Sequence, residues 1–433
     1  MKFNFIPNQM NQIINEVGTF VLVCAIGLSC TTTRDIRIGS AFDESQPAKP
    51  ADIREAINKG TLFLINTQNR DGSWGSFESA RPDEVELGTM ASFDAFRFAT
   101  TALCCMALME LPSHRGGIPM ESGPGQDDKS RRAALNKGLR YLMNQQPEGR
   151  ATGDILYHTW SLTYVTQCFA RAIRHEPPRK LSGSGESPTL KRSPVGEDIP
   201  KEELIACARK WLWMLQHMQA ADGGWAYYDF GYSLQKTSGW LSTSFNTSSS
   251  LCALWEAEKA GLEIDPKVTQ AALRCLERLR TPEKSFSYGS YIQMLPACRP
   301  NRFKGALGRT QPCNLMLFRY GKIPIADLRL GLDRMFQEHQ FMEMGQNRPY
   351  PHESWYATSG YYFFFGHFYA AEVINELPFE EQIPYWKALA RVLLPCQQKD
   401  GSWWDFPMFS YHKAYGTAFA LLSLTPALSQ LSK

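Results

Sequence analysis

Charge of one sign is what this sequence most lacks. Its 46 Lys and Arg stand against 43 Asp and Glu, a formal net charge of +3, far from the basic excess that neutralising a phosphate backbone requires. No Lys/Arg stripe with interleaved aromatics appears either, so nucleic acid is excluded as the expected partner. Long apolar runs are scarce: the one at residues 17–30 (VGTFVLVCAIGLSC) is too short to span a bilayer. Nor do the 11 cysteines form a disulfide framework. Cys104, Cys105, Cys252 and Cys275 sit inside apolar helical patterns, where a thiol is a small buried hydrophobe. A disordered-type composition is absent as well, since 43% hydrophobic and 21% charged residues suffice to bury a large core.

What is present is aromatic. Eleven of the residues are Trp and 17 are Tyr, a supply of large flat side chains that pack a core or line an apolar or sugar-binding cavity. The apolar run at residues 17–30 suits the h-region of a signal leader, which implies an extracytoplasmic protein, with membrane association through that leader or lipid attachment at Cys30 as further options. Buried thiols fit a reducing compartment better, and the leader is taken as the stronger signal. The chain then divides into a leader at 1–30, a linker at 31–50 and a single domain at 51–430.

Three segments of that domain share a pattern: Gln68-Asn-Arg-Asp71-Gly72-Ser73-Trp74, Gln219-Ala-Ala-Asp222-Gly223-Gly224-Trp225 and Gln397-Gln-Lys-Asp400-Gly401-Ser402-Trp403. Each follows a run of helical period, such as Ile53, Ile57 and Leu64, and Asp-Gly is expected to supply the left-handed residue that ends the helix. A second helix with Gly, Ser or Thr near its start follows. Degenerate units fill the intervals, at 133–146 with 157–174, at 266–279 with 310–320, and at 326–341 with 355–375. That makes about six helix pairs, each burying its face only against neighbours, and predicts one closed all-α domain. The stretches at 112–130 and 177–200, rich in Pro, Gly and Ser, read as surface loops.

The Q-x-x-D-G-[SG]-W segments resemble the QW repeats of squalene and oxidosqualene cyclases, and Tyr415-Gly-Thr-Ala-Phe-Ala-Leu-Leu resembles the helix after such a repeat. The resemblance covers nearly the whole domain. It implies an (α/α)6 toroid like the terpenoid cyclases and protein prenyltransferase β-subunits, with first helices outside, second helices inside and a scaffold role for Gln68, Trp74, Gln219, Trp225, Gln397 and Trp403. Departures from the family matter. The D-x-D-D acid of triterpene cyclases is missing, and so is the Gly-Cys-Gly-Glu-Gln run of thioester toroids. Asp154-Ile-Leu-Tyr157-His158-Thr159 is similar to the segment that brings the zinc-binding His of prenyltransferases, but their Asp-x-Cys ligands have no match. Without three ligands no metal is expected, and no other cofactor.

If the second helices form the inner ring, their first turns converge at one mouth, where free N–H groups and helix dipoles favour an anion. Asp94, His158, His352 and Glu353 are the candidate catalytic residues there. Arg97, Tyr157, Trp160, Asn246, Arg309, Trp355, Tyr356, Tyr362, His367, His412 and Tyr415 are the candidate ligand-binding residues. The bland reading makes the small polar residues helix caps and the aromatics core. Residues 361, 365 and 369 share one helix face and 360, 364 and 367 another, so some of these rings point inward and others outward.

Three functions fit this pattern. One is binding, with or without transformation, of an isoprenoid or other apolar ligand, aromatic faces stabilising a cation and helix ends holding an anionic group. The second is a non-catalytic extracytoplasmic scaffold. The third is a polysaccharide lyase or hydrolase, in which Trp would stack a glycan.

Overall fold

The computed structural model of the protein describes residues 42, 48–80, 90–111, 126–147, 157–175, 199–226 and 242–432. The leader, Cys30, most of the linker, the greater part of both expected loops and Asp154 lie outside the described residues. Among the described residues twelve long helices follow in order: α1 Pro50–Thr67, α2 Met90–Glu110, α3 Gln126–Met143, α4 His158–Arg174, α5 Lys201–His217, α6 Ser244–Lys259, α7 Pro266–Leu279, α8 Leu307–Arg319, α9 Ile325–Gln337, α10 Tyr362–Glu376, α11 Phe379–Leu393 and α12 Tyr411–Leu431. Among the described residues there are isolated bridges but no strand.

Burial sorts the helices into two rings. On α7 only Ala272, Leu273, Cys275, Leu276 and Leu279 are buried, one stripe on an otherwise wet helix. On α4 nearly every residue from His158 to Ile173 is buried, as expected for a helix enclosed on all sides. The enclosed helices are the even-numbered ones, and each packs on the next: α2 on α4, α4 on α6, α6 on α8, α8 on α10, α10 on α12, and α12 back on α2. The odd-numbered helices pack outside them, and the result is a six-pair α/α toroid. Residues 92–110 of α2 are apolar enough to cross a membrane by composition, yet 83% of that window is buried inside the ring. Polar residues on an enclosed helix are satisfied locally: Ser249 Oγ donates to Phe245 O at 2.7 Å, and Thr163 and Ser250 hydroxyls meet at 2.9 Å between α4 and α6.

The three Gln-to-Trp segments stitch the outer ring. Gln68 Nε2 donates to Gly72 O within its own turn and to Ala134 O on α3; Gln219 Nε2 does the same with Gly223 O and Val268 O on α7; Gln397 Nε2 does so with Gly401 O and Ala56 O on α1. Each indole N–H reaches back ten residues to a carbonyl of the preceding helix, Leu64, Leu215 or Leu393. A threonine on the following inner helix, Thr101, Thr247 or Thr417, takes the backbone N–H of the Trp. The glycine does not end the helix as expected. In the first segment α1 already stops at Gln68, which is extended at ψ 129°, and Gly72 at φ 100° closes the tight turn after it.

Two other expectations need correction. Residues 126–130 belong to α3 rather than to a loop; Asp128 near its start pairs with Arg131 and Arg132 one turn on. Similarly α9 ends at Gln337 and α10 begins only at Tyr362, so Trp355 and Tyr356 lie in the intervening turn and not on an inner helix.

Ion pairs close the C-terminal end of the inner ring. Arg171 of α4, only 7% exposed, lies 3.4 Å from Glu110 of α2 and 3.2 Å from both Glu256 of α6 and Glu372 of α10. Arg319 of α8 pairs with Glu372 and Glu376, and Arg174 with Glu256. Five of the six inner helices therefore meet in one charged plug.

Candidate ligand cavity at the open end of the ring

The opposite end, formed by the first turns of the inner helices, holds a cavity of about 50 Å³. Phe96, Ala99, Thr100 and Leu103 of α2, Trp160 and Tyr164 of α4, Phe245, Asn246 and Ser249 of α6, Tyr361, Tyr362 and Phe365 at the start of α10, and Met408, Tyr415 and Phe419 at α12 line it. Its floor is solid with rings: Tyr164 and Phe419 meet edge to face at 5.8 Å, Phe368 and Phe419 lie 5.4 Å apart, and Phe365 and Tyr369 lie 4.8 Å apart. Nine of the fifteen lining residues are aromatic, so the walls present ring faces and edges with few polar groups between them.

The polar groups that do reach the cavity are held from behind. Trp160 Nε1–H donates to Asn246 Oδ1 at 2.8 Å. Tyr415 donates its hydroxyl to Asp405 Oδ1 at 2.6 Å. Asp405 is fully buried, and its other oxygen accepts the N–H of Phe364 in the first turn of α10 at 3.0 Å. Burial pushes this carboxyl up to about 7, against the lowering effect of the Tyr415 and backbone hydrogen bonds.

Of the residues singled out from the sequence, Trp160, Asn246, Tyr362 and Tyr415 come together on the cavity. The others are placed elsewhere. Tyr157 caps α4 in the left-handed region at φ 65° and packs its ring on Phe96. His158, in the first turn of α4, is buried, which lowers it to about 4 and keeps it neutral. Asp94 is half-buried on α2, and Arg97 sits between the Tyr141 and Tyr411 phenols. Arg309 is 1% exposed and donates to Gly305 O at 2.8 Å and Pro300 O at 2.6 Å. Its guanidinium lies over the Tyr288 and Tyr362 rings, behind the cavity wall rather than in it.

None of residues 351–356 lines the cavity. His352 donates from Nδ1 to Ala357 O at 2.8 Å, and burial together with the Arg309 charge lowers it to about 4. Glu353 accepts the N–H of Tyr350, Tyr356 packs on Phe341, and Trp355 is 57% exposed under the Arg299 guanidinium. His367 faces outward: its Nδ1 donates to Phe363 O at 2.6 Å and its Nε2 lies 3.0 Å from His339 Nε2. His412 donates from Nδ1 to Phe409 O and meets the edge of Trp404. Among the described residues no group of His, Cys, Asp and Glu is arranged to hold a metal ion.

Sequence reasoning missed Asp405. A signal existed: the residue two after the motif tryptophan is Ser76 in the first segment, Tyr227 in the second and a carboxylate only in the third. Backbone strain also marks this end of the ring. Of the non-glycine residues at positive φ, Tyr157, His352, Ala357 and Phe409 all lie in the turns that lead into α4, α10 and α12.

No family model matches the sequence, and no curated protein matches it. Among solved structures the chain is similar to D-mannose isomerase, with 12% identity and a TM-score of 0.50 over 92% of this chain and 100% of that one. It is also similar to a cellobiose 2-epimerase from Spirochaeta thermophila, with 10% identity and a TM-score of 0.48 over 88% of this chain and 98% of the other. A variant of the type II terpene cyclase MstE from Scytonema, solved with geranylgeranyl dihydroxybenzoate, matches with 15% identity and a TM-score of 0.45 over 88% and 98%. What the chain shares with D-mannose isomerase is the α/α-toroid fold.

Proposed function

We propose that this toroid binds an apolar small molecule of isoprenoid type in its central cavity. The observation that carries the reading is the lining, in which aromatic rings from five of the six inner helices converge on one space. Such walls suit branched hydrocarbon, and they stabilise a positive charge developing on it. The resemblance of the Gln-to-Trp segments to those of the terpenoid cyclases points the same way. A space of about 50 Å³ takes roughly four water-sized groups, about the bulk of one branched five-carbon unit. A sugar ring, with a hydroxyl on nearly every carbon, would leave most of them unpaired against these walls. For a transformation of the ligand, a proton source beside the cavity is the Asp405 carboxyl: protonated, it would give its proton to the Tyr415 oxygen as the phenol passes its own proton to the ligand, leaving the Asp405 carboxylate.

The test is mass spectrometry of molecules extracted from the purified full-length protein, beside Ala99→Leu, which fills the cavity with a side chain. A branched apolar molecule released by the wild type and absent from Ala99→Leu is the expected result. An oligosaccharide, or the same extract from both proteins, would sink the reading.

A further inference from the structure

Asn246 is the one fully polar side chain among the aromatic walls whose orientation is fixed and whose donors are unspent. It stands in the first turn of α6 and is 0% exposed. An asparagine amide can ordinarily be turned either way, but here the neighbour decides. Indole N–H is only ever a donor, so the atom 2.8 Å from Trp160 Nε1 must be the amide oxygen. The NH₂ group then points away from Trp160, and among the described residues Nδ2 has no acceptor although it is buried. Both residues line the cavity. A buried donor without an acceptor is a standing cost that a leucine at this place would not carry. Ser249, one turn on, does not relieve it: its hydroxyl donates to Phe245 O, and its oxygen makes no hydrogen bond with Nδ2.

We infer that the ligand of this cavity carries an oxygen acceptor, as a ketone, ester, ether or alcohol does, and that Asn246, set by Trp160, is the residue that reads it. The ligand is thus an oxygenated apolar molecule rather than a hydrocarbon. This deepens the proposed function and rests on it. It also assigns the two residues separate parts: Asn246 touches the ligand, and Trp160 holds the amide in the one orientation that presents donors.

The experiment uses two probes of the size the cavity admits, methyl isopropyl ketone and the alkene in which a methylene replaces its carbonyl oxygen. Affinities of both are measured for the full-length protein and for Asn246→Leu. One hydrogen bond gained by the ketone alone predicts that the ketone-to-alkene affinity ratio falls about tenfold in the variant. In the wild type the side-chain amide protons of Asn246 should move downfield on adding the ketone and not on adding the alkene, a readout that stands even where Asn246→Leu does not fold. An unchanged ratio, or amide protons that answer both probes alike, overturns the inference while the binding of the alkene keeps the apolar cavity. If neither probe binds the wild type, the cavity reading fails and this inference fails with it.

Discussion

The Asp405 carboxyl and the Tyr415 hydroxyl share a hydrogen bond of 2.6 Å in a place no solvent reaches, and the next neighbour of the carboxyl is a backbone N–H of α10 rather than a cation. Burial raises Asp405 to about 7. A carboxyl whose folded value lies above its unfolded one near 4 makes its full contribution to stability below the unfolded value, and that contribution is lost as pH rises toward 7. Ionising it in place costs on the order of 4 kcal/mol. The wild type should therefore lose stability between pH 5 and pH 8 relative to Asp405→Asn, whose side chain does not titrate. Denaturant unfolding of both proteins at the two pH values measures this, and parallel curves would refute it.

The charged plug at the other end titrates in the opposite sense. Burial alone would raise Glu372, but the Arg171 and Arg319 guanidinium groups outweigh it and hold the carboxyl below its ordinary range. A lowered carboxylate contributes stability above its unfolded value and loses it as pH falls through the folded one. Arg171→Met leaves Glu256 and Glu372 facing each other without their shared cation, which should destabilise by about 3–5 kcal/mol at neutral pH. Adding Glu256→Gln and Glu372→Gln to that variant should restore part of the loss, since it removes the repulsion between the two carboxylates although Arg174 and Arg319 each give up a partner. Thermal unfolding of the single and triple variants separates this from simple loss of packing, for which the triple variant would be no better.

The difference between these sites and the Gln-to-Trp segments explains what could be read from the sequence. Gln68, Asp71 and Trp74 each make a bond within ten residues, to Gly72, Ser73 and Leu64, so a local spacing carries part of the structure and repeats visibly. The toroid was legible for that reason. Arg171 meets carboxylates 61, 85 and 201 residues away, and no local pattern marks them. Asn246, Trp160 and Tyr415 were legible as polar or amphipathic residues in inner-helix turns. His352 and His367 satisfied the same criterion, yet their Nδ1 atoms are bound to Ala357 O and Phe363 O. Sequence position told which end of a helix each histidine occupies; which way its ring turns was decided by packing.

Two glycines separate conformational cost from steric cost. Gly261 at φ 81° has nothing within 4 Å of where a Cβ would stand, whereas at Gly223, φ 90°, a Cβ would lie 2.4 Å from Ala271 O on the neighbouring outer helix. Gly261→Ala should cost about 1–2 kcal/mol, the penalty of the left-handed region alone. Gly223→Ala adds a clash with rigid backbone and should cost distinctly more, with part of the loss appearing as displacement of α7 from α5. Urea unfolding of the two variants ranks them, and equal losses would mean that the outer helices are free to separate.

Gln397 and Ala56, 341 residues apart, bond across the seam of the ring. An open stack of helix pairs holds its terminal units by one neighbour only, so they fray first; a closed ring gives every unit two neighbours. Gln397→Ala deletes the side-chain bond across the seam while leaving Trp403 anchored to Leu393 O and the packing of Trp403 against Gly60 in place. The direct loss should be about 1–3 kcal/mol, the two hydrogen bonds that Nε2 gives to Ala56 O and Gly401 O. In a closed ring the local consequence is larger: amide hydrogen exchange should quicken along α1 and in the turn after α11, which meet at the seam, and hardly at all in α7 on the far side. The equivalent change Gln219→Ala removes the same bond from the middle of the chain and should quicken α5 and α7 instead. If both variants accelerate exchange in α1 alike, the toroid behaves as an open stack whose first helix frays whatever is cut.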